Sequence, residues 1–106
     1  MNLYKLHADA KNVLDNYDRM NDLLRNSTKT VFNDGDTEYL NVFGDLHRDD
    51  GPAWITAGGV EYWYKFGKKH RDDGPAVVYA NGDTEYWYEG QYYKNMQIMQ
   101  TQNELI

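Results

Sequence analysis

His47-Arg48-Asp49-Asp50-Gly51-Pro52-Ala53 returns intact as His70-Arg71-Asp72-Asp73-Gly74-Pro75-Ala76, 23 residues further along the chain. A period in the twenties marks one small supersecondary unit laid down repeatedly, because a unit of that size cannot bury an apolar face alone. The neighbouring sequence repeats too. Gly44 and Gly67 each precede the histidine by three residues, and Glu61-Tyr62-Trp63-Tyr64 returns as Glu85-Tyr86-Trp87-Tyr88, a spacing of 24 that implies one inserted residue. A third, diverged copy lies upstream, where Gly35-Asp36-Thr37-Glu38-Tyr39 matches Gly82-Asp83-Thr84-Glu85-Tyr86.

Around these motifs the hydrophobic period is two. Thr30 to Asn33, Thr37 to Val42, Ala53 to Thr56, Val60 to Phe66, Ala76 to Ala80 and Thr84 to Glu89 read as strands, rich in aromatic and β-branched residues and bounded by glycine. Two kinds of turn alternate between them. Asn33-Asp34-Gly35-Asp36, Ala57-Gly58-Gly59 and Asn81-Gly82-Asp83 supply the positive φ of tight hairpins. In the His-Arg-Asp-Asp-Gly-Pro segments, Pro52 and Pro75 cannot donate to a ladder and mark a longer connection. The result is an antiparallel meander.

Residues 1–28 differ: glycine is absent, and Val13, Tyr17, Met20, Leu23 and Leu24 recur at helical spacing. The spacing predicts an amphipathic helix from about Ala10 to Asn26, with Asp9 as N-cap and Arg25 complementing the dipole, packed on the sheet. Leu3 to His7 ahead of it reads as a short strand or an extended lead-in. After Lys94 the sequence loses both glycine and alternation and reads as a last strand edge followed by a short helix or a tail over residues 96–106. The fold class expected is α+β in one domain of three parts: the helical segment 1–28, the hairpin sheet 29–95 and the tail 96–106.

With 106 residues, the chain has room for one small core. It has no cysteine, hence no disulfide framework or thiolate metal site. The N-terminus lacks the apolar run of a signal peptide and no stretch is long enough to span a bilayer, so a soluble cytoplasmic protein is expected. A formal net charge of −6 argues against direct nucleic-acid binding, whose phosphate contacts call for a basic stripe. Ten tyrosines and three tryptophans supply rings suited to binding faces as well as to a small core.

The pattern Trp-Tyr-x-x-Gly-x-x-His-x-x-x-Gly-Pro-Ala followed by Asn-Gly, from Trp63 through Gly82, resembles the variant MORN-type repeat, whose units are consecutive β-hairpins. The resemblance covers residues 29 to 95 and implies about two and a half MORN-like hairpin repeats. The doubled His-Arg-Asp-Asp-Gly-Pro-Ala is also similar to the "HRxDGPA" repeats of tailed bacteriophages and large DNA viruses. The opening Leu3-Tyr4-Lys5-Leu6 with Leu14 to Asp18 resembles that of small phage accessory proteins. These resemblances imply a phage-encoded origin and bring no catalytic residues with them. Arg-Asp-Asp stands where ordinary MORN units carry glycine, a departure that speaks against membrane-lipid binding.

His47, Asp49, Asp50, His70, Asp72 and Asp73 are the residue types that ligate a metal ion, but in a repeat the same residues recur because each unit needs the same turn. Asp bonds turn amides, Arg forks onto a carboxylate and Gly-Pro closes the bend. The motif residues His47, Arg48, Asp49, Asp50, Gly51 and Pro52, with His70, Arg71, Asp72, Asp73, Gly74 and Pro75, are therefore assigned to turn structure, and neither metal nor cofactor is expected. Pairing Asp49 with Asp72, or Glu61 with Glu85, as acid and base needs a cleft that a thin meander rarely makes. No phosphate loop, His-Glu-x-x-His or nucleophile elbow is present. A non-enzymatic protein is expected.

Strict alternation sets Tyr62, Tyr64 and Phe66 against Glu61, Trp63 and Lys65, and Tyr86 and Tyr88 against Glu85, Trp87 and Glu89. Either set can be the core-facing one. A row of rings among carboxylates has the anchors and rim of a protein-binding patch, for which Glu61, Trp63, Asp83, Glu85, Trp87 and Glu89 are the candidates. With the phage resemblance, the expected function is to bind and inhibit or modulate a host protein complex, for example a nucleic-acid-binding one, as an anti-CRISPR or other anti-defence factor does. The alternatives are a carbohydrate-binding module and a self-assembling repeat protein, with a homodimer through an unpaired edge strand as one form.

Overall fold

Runs of aromatic and β-branched residues become short strands, and glycine-bearing loops turn each back onto its neighbour. The computed structural model describes residues 26–104. Its strands are β1 (Thr28–Val31), β2 (Thr37–Leu40), β3 (Trp54–Ile55), β4 (Glu61–Tyr62), β5 (Tyr64–Lys65), β6 (Lys68–Lys69), β7 (Val77–Val78), β8 (Thr84–Tyr88) and β9 (Gln91–Tyr93), followed by helix α1 (Met96–Glu104). β1-β2-β3-β4-β7-β8-β9 form one antiparallel sheet in that order, and β5-β6 form a separate hairpin. The architecture is a β-rich α+β fold with a C-terminal helix. The expected N-terminal helix and its lead-in lie, but for Asn26, outside the described residues.

Two corrections concern the strands. The run Val60 to Phe66 is not one strand but divides at Trp63. The Trp63 N–H donates to the Ala76 carbonyl (2.7 Å) in the main sheet, while its carbonyl accepts from His70 N–H (3.0 Å) in the side hairpin. Tyr39 stands in the same way between Ala53 (2.7 Å) and His47 (3.0 Å). Residues 91–93, which carried no strand expectation, form β9 against β8.

The turns are also redistributed. Asn-Asp-Gly, Ala-Gly-Gly and Ala-Asn-Gly close three-residue loops with glycine alone at positive φ, as in Phe32 N–H to Asp36 O (2.9 Å) with Gly35 N–H to Phe32 O (3.0 Å). The two-residue turns with both residues at positive φ fall where no turn was expected, at Phe66-Gly67 and Glu89-Gly90. Phe66 (φ 50°) and Glu89 (φ 49°) thus hold a conformation that disfavours a Cβ. Glu89→Asn should stabilise the protein by about 0.5–1 kcal/mol, read as a rise in Tm of a few degrees, because asparagine tolerates this region.

The 24-residue spacing of Glu-Tyr-Trp-Tyr is not an insertion. Tyr62 pairs with Val77, and Val77 with Glu85, so Tyr62 and Glu85 occupy equivalent positions 23 residues apart, as do Gly59 and Gly82 and Gly67 and Gly90. The motif has slid by one residue within a constant unit. The length change falls earlier, where the three-residue loop after Asn41 becomes the two-residue Phe66-Gly67 turn.

The core is thin: Ala53, Ala76 and Val77 are 0% exposed, His47 is 0% and Met99 1%. The same step of 23 carries His47 to His70 to Tyr93 and Ala53 to Ala76 to Met99, all of them buried. Residues 93–99 are therefore a third copy of the seven-residue motif in which helix replaces turn. Asn95 caps it, its Oδ1 accepting from Ile98 N–H at 2.9 Å. No helix among the described residues is long and apolar enough to cross a membrane.

Candidate functional site

Every side chain of the repeated motif has an assigned place. His47 Nδ1 accepts from the Phe66 N–H and His70 Nδ1 from the Glu89 N–H, each at 3.0 Å, so each histidine holds the positive-φ residue of the next unit's hairpin. With Nδ1 accepting, the ring proton sits on Nε2, which faces Asp49 at 3.5 Å in the first copy and Asp72 at 2.9 Å in the second. The rings pack on the next hairpin, His47 on Phe66 at 4.3 Å and His70 on Tyr88 at 4.4 Å.

The arginines lie flat over aromatic rings, Arg48 over Tyr39 at 4.0 Å and Arg71 over Trp63 at 3.8 Å. Each guanidinium donates Nε to the second Asp (Asp50 at 3.1 Å, Asp73 at 3.2 Å) and Nη1 to the proline carbonyl (Pro52 and Pro75, both 3.2 Å). Gly51 and Gly74 are buried beneath these arginines, and a Cβ built there would lie 2.7 Å and 2.9 Å from the guanidinium carbon. Among the described residues, no group of three or more His, Asp or Glu side chains is placed to hold a metal ion.

Asp72 also takes Lys65 Nζ at 3.3 Å. Burial works against its ionisation, but the hydrogen bond from His70 and the charge and hydrogen bond of Lys65 outweigh that and hold the carboxyl below the ordinary carboxylate range. A lowered carboxylate pKa adds stability above about pH 4 and loses it as pH falls further. Asp72 is 60% exposed, so the contribution stays below about 1 kcal/mol. Asp72→Asn should flatten the acid limb of the stability curve by that amount in urea titrations between about pH 2 and pH 5.

The expected binding row is not assembled as alternation implied. Directly opposed residues share a face, so Glu61, paired with Ile55 and Val78, lies on one face, while Glu85, paired with Val77, lies on the other with Tyr62 and Trp54. Glu85 is engaged within the sheet, accepting from Tyr79 Oη–H and Trp87 Nε1–H, each at 2.9 Å. That bond, ahead of desolvation, raises the Tyr79 phenol above its ordinary value. Burial, with Tyr62 beside it, does the same for Tyr64.

Each tryptophan already carries a ring or cation partner. Trp54 stacks on Tyr62 at 4.5 Å, Arg71 covers Trp63, and Trp87 has Lys69 Nζ 4.5 Å over its ring and Tyr92 edge-on at 5.6 Å. Lys69, Tyr79 and Tyr92 carried no sequence signal for these roles, since their partners come from the cross-strand register.

What remains is a set of carboxylates without a cation. Asp34, Asp36, Glu61, Asp83 and Glu89 form no ion pair among the described residues, whereas Asp49, Asp50, Asp72 and Asp73 are each paired with a motif cation or histidine. Residues 1–25 balance four acids against four bases, so the whole net charge of −6 belongs to the rest of the chain. Comparison with protein-family models, curated proteins and solved structures found no match to this chain.

Proposed function

We propose that the protein is a non-enzymatic binding module that docks on a basic, nucleic-acid-binding host protein and competes with nucleic acid there. The observation that carries this reading is the separation of charge roles. The repeated carboxylates are paired with cations and histidines, while Asp34, Glu61, Asp83 and Glu89 form no ion pair among the described residues, Asp34 and Asp83 accepting only from their own loops, on a chain whose excess negative charge all falls after residue 25. Such a surface steers toward a positive groove and penalises a second polyanion in it. The likeness of the repeats to those of phage and large-virus proteins supports a host protein as the target, in the manner of an anti-defence factor such as an anti-CRISPR, acting in the cytoplasm. The candidate contact set shifts accordingly: Glu61, Asp83 and Glu89 stay, and Glu85, Trp63 and Trp87 serve the sheet.

The test is affinity capture from bacterial lysate with the full chain beside the triple variant Asp34→Asn, Glu61→Gln, Asp83→Asn, which keeps side-chain shape and moves the net charge from −6 to −3. A nucleic-acid-binding partner retained by the parent and lost by the variant is the expected result. Retention of the same partner by the variant overturns the electrostatic reading. The alternative carbohydrate reading has less support, since the tryptophan rings are occupied by Tyr62, Arg71 and Lys69.

A further inference from the structure

The end of the repeat array leaves one strand slot unfilled. β2 lies between β1 and β3, and β4 lies in the same way between β3 and β7. β8 is their counterpart one unit on, but at Thr84 and Glu85 it pairs with β7 alone, because β9 takes only Tyr86 to Tyr88. The helix packs on β8 and β9, and its residues line the groove of the next turn, while no strand among the described residues pairs with Thr84 and Glu85 on that edge. Asp49 and Lys65 line a groove with Arg71, Asp72 and Asp73; one unit on, Asp72 and Tyr88 line its counterpart with Met99, Gln100 and Asn103. Thr84 is exposed, whereas its equivalents Thr37 and Glu61 are half-buried between two neighbours.

At the other end β1 pairs with β2, and no strand among the described residues takes its second edge. All four of its residues are exposed, Val31 by 62%, and Phe32 after it by 44%. β1 is the structural equivalent of β3 and β7, since Val31 opposes Thr37 as Ile55 opposes Glu61 and Val78 opposes Thr84. It is the kind of strand that the open slot on β8 lacks.

We propose that β1 of one copy of the chain fills the Thr84–Glu85 slot of another, joining copies head to tail. The register follows from β2, where Thr37 opposes Val31 on one edge and Ile55 on the other, and Glu38 opposes Thr30 and Trp54. Thr84 then opposes Val31, and Glu85 opposes Thr30, of the second copy. Thr37-Glu38-Tyr39 and Thr84-Glu85-Tyr86 are the same tripeptide, so these are side-chain pairs the chain already makes between β1 and β2. Pairing stops at Thr30, because β9 occupies Tyr86. Donor and acceptor are different surfaces, so the contact does not close on itself at two chains. This inference needs no host partner.

The chain has no cysteine, so two exposed positions can be marked cleanly. Opposed Cα atoms at about 4.5–5.5 Å fall within the span of a disulfide. Under mild oxidation, Val31→Cys mixed with Thr84→Cys should give a heterodimer in several-fold excess over either homodimer and nothing larger. The double variant should give a ladder of dimer, trimer and higher species. Sedimentation velocity on the unmodified chain should show a mass that rises with concentration and does not level at two copies. Homodimers of a single variant forming as readily as the heterodimer, a double variant that stays monomeric, or a mass fixed across the dilution series would overturn the proposal.

Discussion

Replacing His47 with alanine should cost about 3 kcal/mol of stability. The ring is 0% exposed, so its loss leaves a cavity the thin core cannot close by sliding other large side chains into it. It also removes the acceptor for the Phe66 N–H, leaving a part-buried amide unpaired at a residue whose φ of 50° is already unfavourable. Two losses fall on the same hairpin, and the Phe66 ring loses its partner at 4.3 Å as well. Urea unfolding followed by tryptophan fluorescence measures the total, and amide exchange at Phe66 locates it: that amide should exchange faster even where the sheet stays folded. His47→Asn, whose side-chain oxygen reaches roughly where Nδ1 sits, should recover the exchange protection of Phe66 but only part of the packing. Equal losses for alanine and asparagine would mean that the hydrogen bond between units contributes nothing.

How much of this was legible beforehand depends on what kind of pattern carried it. The repeated His-Arg-Asp-Asp-Gly-Pro-Ala announces a hairpin array because identical local sequence demands identical local structure, and the antiparallel sheet and glycine loops follow from it. Register is a different matter. Glu61-Tyr62-Trp63-Tyr64 and Glu85-Tyr86-Trp87-Tyr88 look equivalent, yet the ladder equates Tyr62 with Glu85, and a slip of one residue sends every side chain to the other face. That slip dissolved the expected row of Glu61, Trp63, Glu85 and Trp87. Alternation also fails at Trp63, where the chain leaves the main sheet for a side hairpin and no run of residue types marks the departure. The third motif was hidden for a chemical reason: Tyr93-Lys94-Asn95-Met96-Gln97-Ile98-Met99 preserves only the position and burial of the first and last residues, and without glycine and proline it goes helical. Counting the step of 23 onward from His70 and Ala76 would have found it.

Gly51→Ala should destabilise by about 2 kcal/mol, although it adds a single methyl to a turn. The methyl carbon would stand 2.7 Å from the Arg48 guanidinium carbon, so the guanidinium must shift, and any shift takes it off the Tyr39 ring 4.0 Å away and off the Pro52 carbonyl that holds Nη1. Forcing Arg48 off Tyr39 also bares the aromatic ring and leaves the Pro52 carbonyl without its donor. Removing the arginine first reverses the logic. Arg48→Ala alone should cost about 1.5 kcal/mol, mostly from the stacked ring and the Pro52 bond, since Asp50 is 87% exposed and its ion pair is worth little. In that background the three nearest atoms are gone, so Gly51→Ala should add much less, giving a coupling of about 2 kcal/mol across the double-mutant cycle. The same cycle at Gly74 and Arg71 should show a slightly smaller coupling, because the built carbon there stands 2.9 Å from the guanidinium carbon. Arg48→Lys should behave like the alanine variant rather than the parent, since an ammonium cannot lie flat between a ring and a glycine while donating in two directions. If instead Gly51→Ala costs the same with and without the arginine, the glycine serves the backbone of the turn and the stacked guanidinium is not what selects it.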